Sequence, residues 1–284
     1  MLFMQTCELL GYPKEARLLI VNIDDYGLCY TANDSAVRLL RQGAASSCTV
    51  MAPAPWGLDG LLRLADNPHL HCGVHLTAIS EHVRYRWRPL TRASRIPTLV
   101  DEDGYFYLES RQDEFIHRAR VEELEIEWRA QIEIALRHGL RISHLDSHCN
   151  THDSRQDFFW MTVRLAQEYG LALRVHNPDY MPALRQRNLP AIDYPDVDSF
   201  RLPVEGKRQI YLEMLHNLPA GLSEWAIHPA YESDELKALT PEWQVRASDY
   251  AFFASADFGQ ALRAEGIQLV HYSLLQPFWR GSAG

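Results

Sequence analysis

Cysteine is sparse in this 284-residue chain and shows no pairing pattern: Cys7, Cys29, Cys48, Cys72 and Cys149 are scattered, odd in number and without a C-x-x-C spacing. Such a set reads as reduced thiols rather than a disulfide framework or a zinc knuckle. Basic charge is also short. There are 28 Lys and Arg against 37 Asp and Glu, a formal net charge of −9 with neutral His, and no Lys/Arg run exceeds a pair. A nucleic-acid partner is therefore not expected. No apolar run approaches the roughly 20 residues that span a bilayer, so no membrane partner is expected either. The first sixteen residues include Glu8 and have no basic segment ahead of their apolar part, which reads poorly as a signal peptide and points to a cytoplasmic location. Also missing are internal repeats, low-complexity tracts, interdomain linkers, a G-x-S-x-G elbow, a G-x-x-x-x-G-K-[ST] phosphate loop, a G-x-G-x-x-G turn and an H-E-x-x-H helix.

What is present is ordinary globular composition, 46% hydrophobic and 23% charged, with 13 histidines. Short β-branched runs alternate with helical periodicity. Strands are expected at 17–23, 46–51, 70–76, 141–145, 171–175, 223–227 and 268–272. Helices are expected after Asn33 or Asp34 up to Gly43, and near 58–65, 114–138, 155–168, 207–216 and 249–264. The alternation implies a mainly parallel α/β sheet, either an open doubly wound sheet or a TIM-like barrel of about seven strands. Residues 1–284 are read as one catalytic domain. Residues 1–16 form an N-terminal extension, and the segments 78–112 and 176–203 are long loops.

The polar residues gather at the ends of predicted strands, where the loops of a parallel barrel converge on one face. Asp24 and Asp25 follow the first strand in NIDDYG. His75 sits inside the apolar strand GVHL. His144, Asp146, His148 and His152 crowd into HLDSHCNTH, and His228 ends a strand before Pro229. Each has a bland reading: an Asx turn closed by Gly27, a satisfied core histidine, or a solvated loop. Together, a carboxylate and two imidazoles from separate strands would make an open metal site. His271, inside the last predicted strand, reads more as core than as site, and His176 reads as a loop residue.

In order and spacing, DDYG, GVHL, HLDSH-x3-H, a strand ending in HP and the late G-I-x-L-x-x-Y-S resemble the YdjC-like carbohydrate deacetylases, relatives of the polysaccharide deacetylases, over about 17–274. The resemblance implies a distorted (β/α) barrel, one divalent metal and hydrolysis of an N-acetyl group on an amino sugar such as a GlcNAc-containing oligosaccharide or glycoconjugate, giving acetate and a free amine. It implies Asp25, His75 and His148 as metal ligands, Asp24 as general base and His228 as general acid. His152 falls near the site. Tyr85, Trp87 and Tyr105 are expected to stack on sugar from the loops, which would shape the substrate pocket. The ligand types favour Zn²⁺, with Mg²⁺, Co²⁺, Ni²⁺ and Mn²⁺ left open. A homodimer is an allowed assembly. Two departures stand out: Cys149-Asn150 where further His is common, and Ile227 where Cys is frequent before His-Pro. The same three ligands would also suit a metal-dependent hydrolase of another bond such as a phosphoester. A non-catalytic sugar-binding protein that keeps the barrel is the other alternative.

Overall fold

The computed structural model describes residues 4–175 and 177–280; His176 lies outside the described residues. Ten strands follow in order: β1 (Arg17–Tyr26), β2 (Ser47–Val50), β3 (Cys72–Leu76), β4 (Ile79–Ser80), β5 (Tyr107–Leu108), β6 (Ile142–Ser147), β7 (Ala172–Leu173), β8 (Val197–Asp198), β9 (Gly221–Ile227) and β10 (Ile267–Leu269). Eight form a curled sheet in the order β7-β6-β3-β2-β1-β9-β8, with β10 off this path against β1. Every pairing is parallel, and β1 is the hub. Its full apolar length pairs with β9, its first residues with β10 and its last with β2. The seven strands of the path thus form a parallel half-barrel, the distorted TIM-like architecture that the family resemblance implies and that the alternation alone left open against a doubly wound sheet. Among the described residues no ladder joins the two ends of the path, β7 and β8.

All seven expected strands are present. Three strands of two residues each were missed: β8, with only intermediate burial and no apolar run to mark it, and β4 and β5, which pair with each other inside the segment 78–112 expected as a loop. Three helix expectations need correction. The ladder over 114–138 is two helices, Gln112–Arg118 and Val121–Arg137, because Ala119 turns extended at ψ 130°. The stretch 249–264 likewise falls into Trp243–Phe253 and Ala256–Ala264. The first long helix starts at Tyr30, not after Asn33. Asn33 is inside it, where its side-chain oxygen accepts from Gly27 N at 2.7 Å and its amide donates to Asp59 at 2.8 Å. Gly43 does close that helix, at φ 68°.

One apolar cluster runs from Cys7 to Trp279, and Leu10, Tyr12 and Ala16 of the N-terminal extension pack against it. Thr6 N is held by Asp193 at 2.9 Å. Close strand approach depends on Gly73 in β3, where a Cβ would lie 2.5 Å from the His144 carbonyl oxygen. The five cysteines are free thiols. Among the described residues no helix is long and apolar enough to cross a membrane.

Candidate active site

A β-bulge creates the site's first pair of groups. The register between β1 and β2 shifts between Ile23 and Tyr26, and Asp25 adopts φ 59°, a left-handed conformation that Asp tolerates better than most residues. Regular pleating would send Asp24 and Asp25 to opposite faces. The bulge lets both line one cavity of about 280 Å³ at the C-terminal ends of the strands. His75, from β3, His148, directly after β6, and His228, directly after β9, line the same cavity.

Asp25 Oδ1 lies 3.4 Å from His75 Nε2 and 3.1 Å from His148 Nδ1. Donors held about 2.0–2.2 Å from one ion sit at roughly this separation from each other. All three residues are buried, and they form a group that could hold a metal ion. A second group, Asp24, His75 and Asp146, fits less well because its carboxylates are already taken. Asp24 receives Arg174 through both guanidinium ends, and Asp146 Oδ2 accepts from Thr49 Oγ1 at 2.8 Å and faces Arg174 at 3.0 Å. His75 Nδ1 is 2.7 Å from Asp146 Oδ1, an outer contact that would fix the ring with Nε2 toward Asp25. His148 Nε2 is buried without a hydrogen-bond partner, although Glu81 Oε1 is 3.4 Å away.

The electrostatics follow from burial and charge. Burial alone would raise the Asp25 carboxyl, yet Arg246, donating to Oδ2 at 2.7 Å, and the two imidazoles hold it well below the usual carboxylate range. Burial would depress His75, but Asp146 outweighs it and pushes the imidazole up to about 9. His144 is instead held down at about 3, because burial, with Arg174 nearby, outweighs the pull of Asp146. It stacks on Tyr272 at 4.0 Å, which makes it a neutral packing residue of the barrel interior.

Beneath Asp24 lies a network that motif reading missed. Arg174, 1% exposed, donates to Asp24 at 2.6 and 2.8 Å and through Nε to Glu224 at 2.8 Å, and Glu224 also accepts from the Tyr272 hydroxyl. An arginine in the otherwise apolar run LALRV and a glutamate in LSEWAI were the available signals. Arg246 carried none, since its helix gives no reason to aim it at Asp25. His228 is anchored by Ser199 Oγ, 2.9 Å from Nδ1, and its backbone N donates to Asp249.

Four residues expected at the substrate do not line the cavity. His152 is fully buried, with Ser147 Oγ 2.6 Å from Nδ1 and the Arg174 carbonyl 3.0 Å from Nε2, and it does not reach the cavity. Tyr85 spends its hydroxyl on the Leu28 carbonyl at 2.7 Å. Trp87 is buried behind His148, with ring centroids 6.0 Å apart. Tyr105 lies against the guanidinium groups of Arg86 and Arg88, away from the wall. Among the described residues, the one Phe, Tyr or Trp ring on the wall is that of Phe200. Both long loops do reach the cavity, the first through Glu81, His82 and Glu109, the second through Asp198 and Phe200.

A curled parallel half-barrel with Asp and His donors converging at its strand ends defines the class: an α/β protein carrying a candidate metal centre where barrel enzymes keep their active sites. The particular family follows from comparison. The chain belongs to the YdjC-like protein family, whose model matches residues 18–264. It is 30% identical to the carbohydrate deacetylase of Thermoanaerobacter pseudethanolicus, with 92% of this chain and 100% of that protein covered. It is 33% identical to that of Thermus thermophilus, with 82% and 85% covered. Among solved structures, an Enterococcus faecalis V583 protein named for cellobiose-phosphate cleavage superposes with a TM-score of 0.78 at 26% identity, covering 92% of this chain and 99% of that one.

Proposed function

We propose that the protein is a metal-dependent carbohydrate N-deacetylase that hydrolyses the acetamide of an amino sugar to acetate and a free amine. One observation carries the reading. The three convergent donors Asp25, His75 and His148 open on a cavity that Asp24 and His228 also line, in a chain related over nearly its whole length to proteins named carbohydrate deacetylases. Two imidazoles and a carboxylate suit Zn²⁺ best among the common divalent ions. When bound, such an ion polarises a carbonyl and makes a water acidic at neutral pH.

The chain's own residues then divide the work. Asp24, fixed by the Arg174 fork and by Asn22 Nδ2 at 2.8 Å, is oriented to take a proton from the attacking water. His228, whose Nδ1 is engaged by Ser199, turns Nε2 to the departing amine and protonates it. Asp146 and Thr49 hold the His75 side of the centre. Phe200 offers an apolar wall to a sugar ring, and the two long loops shape the rest of the pocket.

The test compares two neighbouring carboxylates. Asp24→Asn is expected to keep the metal and lose acetate release by about 10²–10⁴-fold, the range for a general base. Asp25→Asn is expected to lose the metal. A sugar-binding module without turnover would be indifferent to Asp24→Asn, and that result would reject the enzyme reading. Release of phosphate from a phosphoester in preference to acetate would move the reaction to another bond.

A further inference from the structure

Apart from the reacting groups, the cavity wall carries four more carboxylates: Glu81, Glu109, Asp198 and Glu242. Its one guanidinium, Arg246, is 1% exposed and already paired with Asp25 Oδ2 at 2.7 Å. Among the described residues no lysine and no second arginine reaches the wall. Phosphate and carboxylate groups are held in proteins by free arginine forks, lysines or helix N-termini; this wall presents no lysine and no free arginine fork, and its His82 imidazole lies 3.3 Å from Glu81 Oε2. The surplus of negative charge stays even after a divalent ion is counted.

Position gives the charge a direction. Glu109 and Glu242 are exposed at the mouth, and among the described residues neither forms an ion pair. Asp198 and Glu81 are deeper: Asp198 accepts from Phe200 N at 2.9 Å, and Glu81 lies 3.4 Å from His148 Nε2. The buried His148 Nε2 on the same wall has no hydrogen-bond partner and is open to a bound ligand. At about 280 Å³ the cavity is at the small end of ligand pockets, which run to about 1,000 Å³. It admits one N-acetylated ring and leaves the adjoining unit at the mouth, beside Glu109 and Glu242.

Resting on the deacetylase reading above, we infer that the preferred substrate is a cationic amino sugar, in which the N-acetylated ring adjoins a unit already bearing a free ammonium group. Glu109 and Glu242 receive that ammonium. Sugars carrying phosphate or carboxylate at the same place meet uncompensated like charge. Because both glutamates are exposed, the discrimination acts chiefly through capture of the substrate and weakens as salt screens it.

The test uses three disaccharides with N-acetylglucosamine as the reacting ring and a neighbour that is glucosamine, N-acetylglucosamine or 6-phosphorylated N-acetylglucosamine, assayed for acetate with the metal-loaded protein. At low ionic strength kcat/KM is expected to be about tenfold higher for the cationic than for the neutral substrate, at the lower end of electrostatic steering effects, and lowest for the phosphorylated one. The differences are expected in KM. They should shrink at high salt and in the Glu109→Gln/Glu242→Gln double variant. Equal kcat/KM for the cationic and neutral sugars, a preference for the phosphorylated one, or an order that survives both high salt and the double variant would overturn the inference while leaving the deacetylase reading intact. No acetate from any of the three would overturn both.

Discussion

Arg174 and Asp24 face each other as a closed fork, one guanidinium nitrogen 2.6 Å from Oδ2 and the other 2.8 Å from Oδ1, with both residues buried. The same guanidinium serves Glu224 and Asp146. One cation thereby sets the orientation of the proposed base and faces three buried carboxylates at once, of which Glu224 keeps its proton up to about pH 7.

Arg174→Lys keeps the charge but not the fork, so acetate release should fall on the order of 10²-fold with metal content unchanged. Arg174→Met should cost about 3–5 kcal/mol of unfolding free energy, since it strands buried carboxylates. Steady-state kinetics and urea unfolding measure the two. A lysine variant with full activity would show that the fork does not orient Asp24.

Asp146 stands behind His75, its Oδ1 2.7 Å from Nδ1. Asp146→Asn should weaken metal affinity about 10–100-fold, the usual effect of removing an outer partner from a ligating histidine. Calorimetric titration of chelator-stripped protein reads this directly. Unchanged affinity would place His75 outside the metal shell.

Glu224 gives a pH signature. Burial raises its carboxyl to about 7 against the pull of Arg174 and Tyr272. Between the ordinary glutamate range and pH 7 the folded protein keeps a proton that the unfolded chain has released. The contribution of this group to stability is therefore present at low pH and lost as pH rises through about 7, a change on the order of 3 kcal/mol. Glu224→Gln removes the dependence, so the stability difference between wild type and variant should move in the variant's favour from pH 4.5 to 7.5. Parallel curves would mean that Glu224 is ionised throughout.

Two glycines should respond with opposite signs. A Cβ on Gly73 would meet the His144 carbonyl at 2.5 Å and its ring at 2.7 Å, so Gly73→Ala should cost about 1–3 kcal/mol. Gly259 lies in the helix Ala256–Ala264, with only Arg263 Nη1 at 3.5 Å nearby, and Gly259→Ala should add about 0.5–1 kcal/mol. Chemical unfolding of both variants checks the pair, and a neutral Gly73→Ala would contradict the close β3–β6 packing.

The sheet was legible because its central strands bury short apolar runs, and such runs leave a mark on the sequence that the two-residue strands β4, β5 and β8 do not. The same physics made Asp24, Asp25, His75, His148 and His228 visible, since polar groups at the ends of such runs are out of place. Helix breaks were not legible. Ala119 has no feature that forbids helix, and only the packing of the two segments decides the break. The loop aromatics misled for a related reason: Tyr85 and Trp87 look like sugar platforms in sequence but satisfy the core. Arg246 shows the limit most clearly, because an arginine on an amphipathic helix reads as solvated until the fold places Asp25 beside it.

The account stands most directly on acetate measured from N-acetylglucosamine oligosaccharides with purified protein, first stripped by chelator and then reloaded with Zn²⁺ or another divalent ion. It predicts no acetate from the stripped protein, recovery on reloading to one ion per chain, and no recovery in His75→Ala or His148→Ala. Acetate release that ignores the chelator, or none from the reloaded wild type on any such sugar, would contradict it.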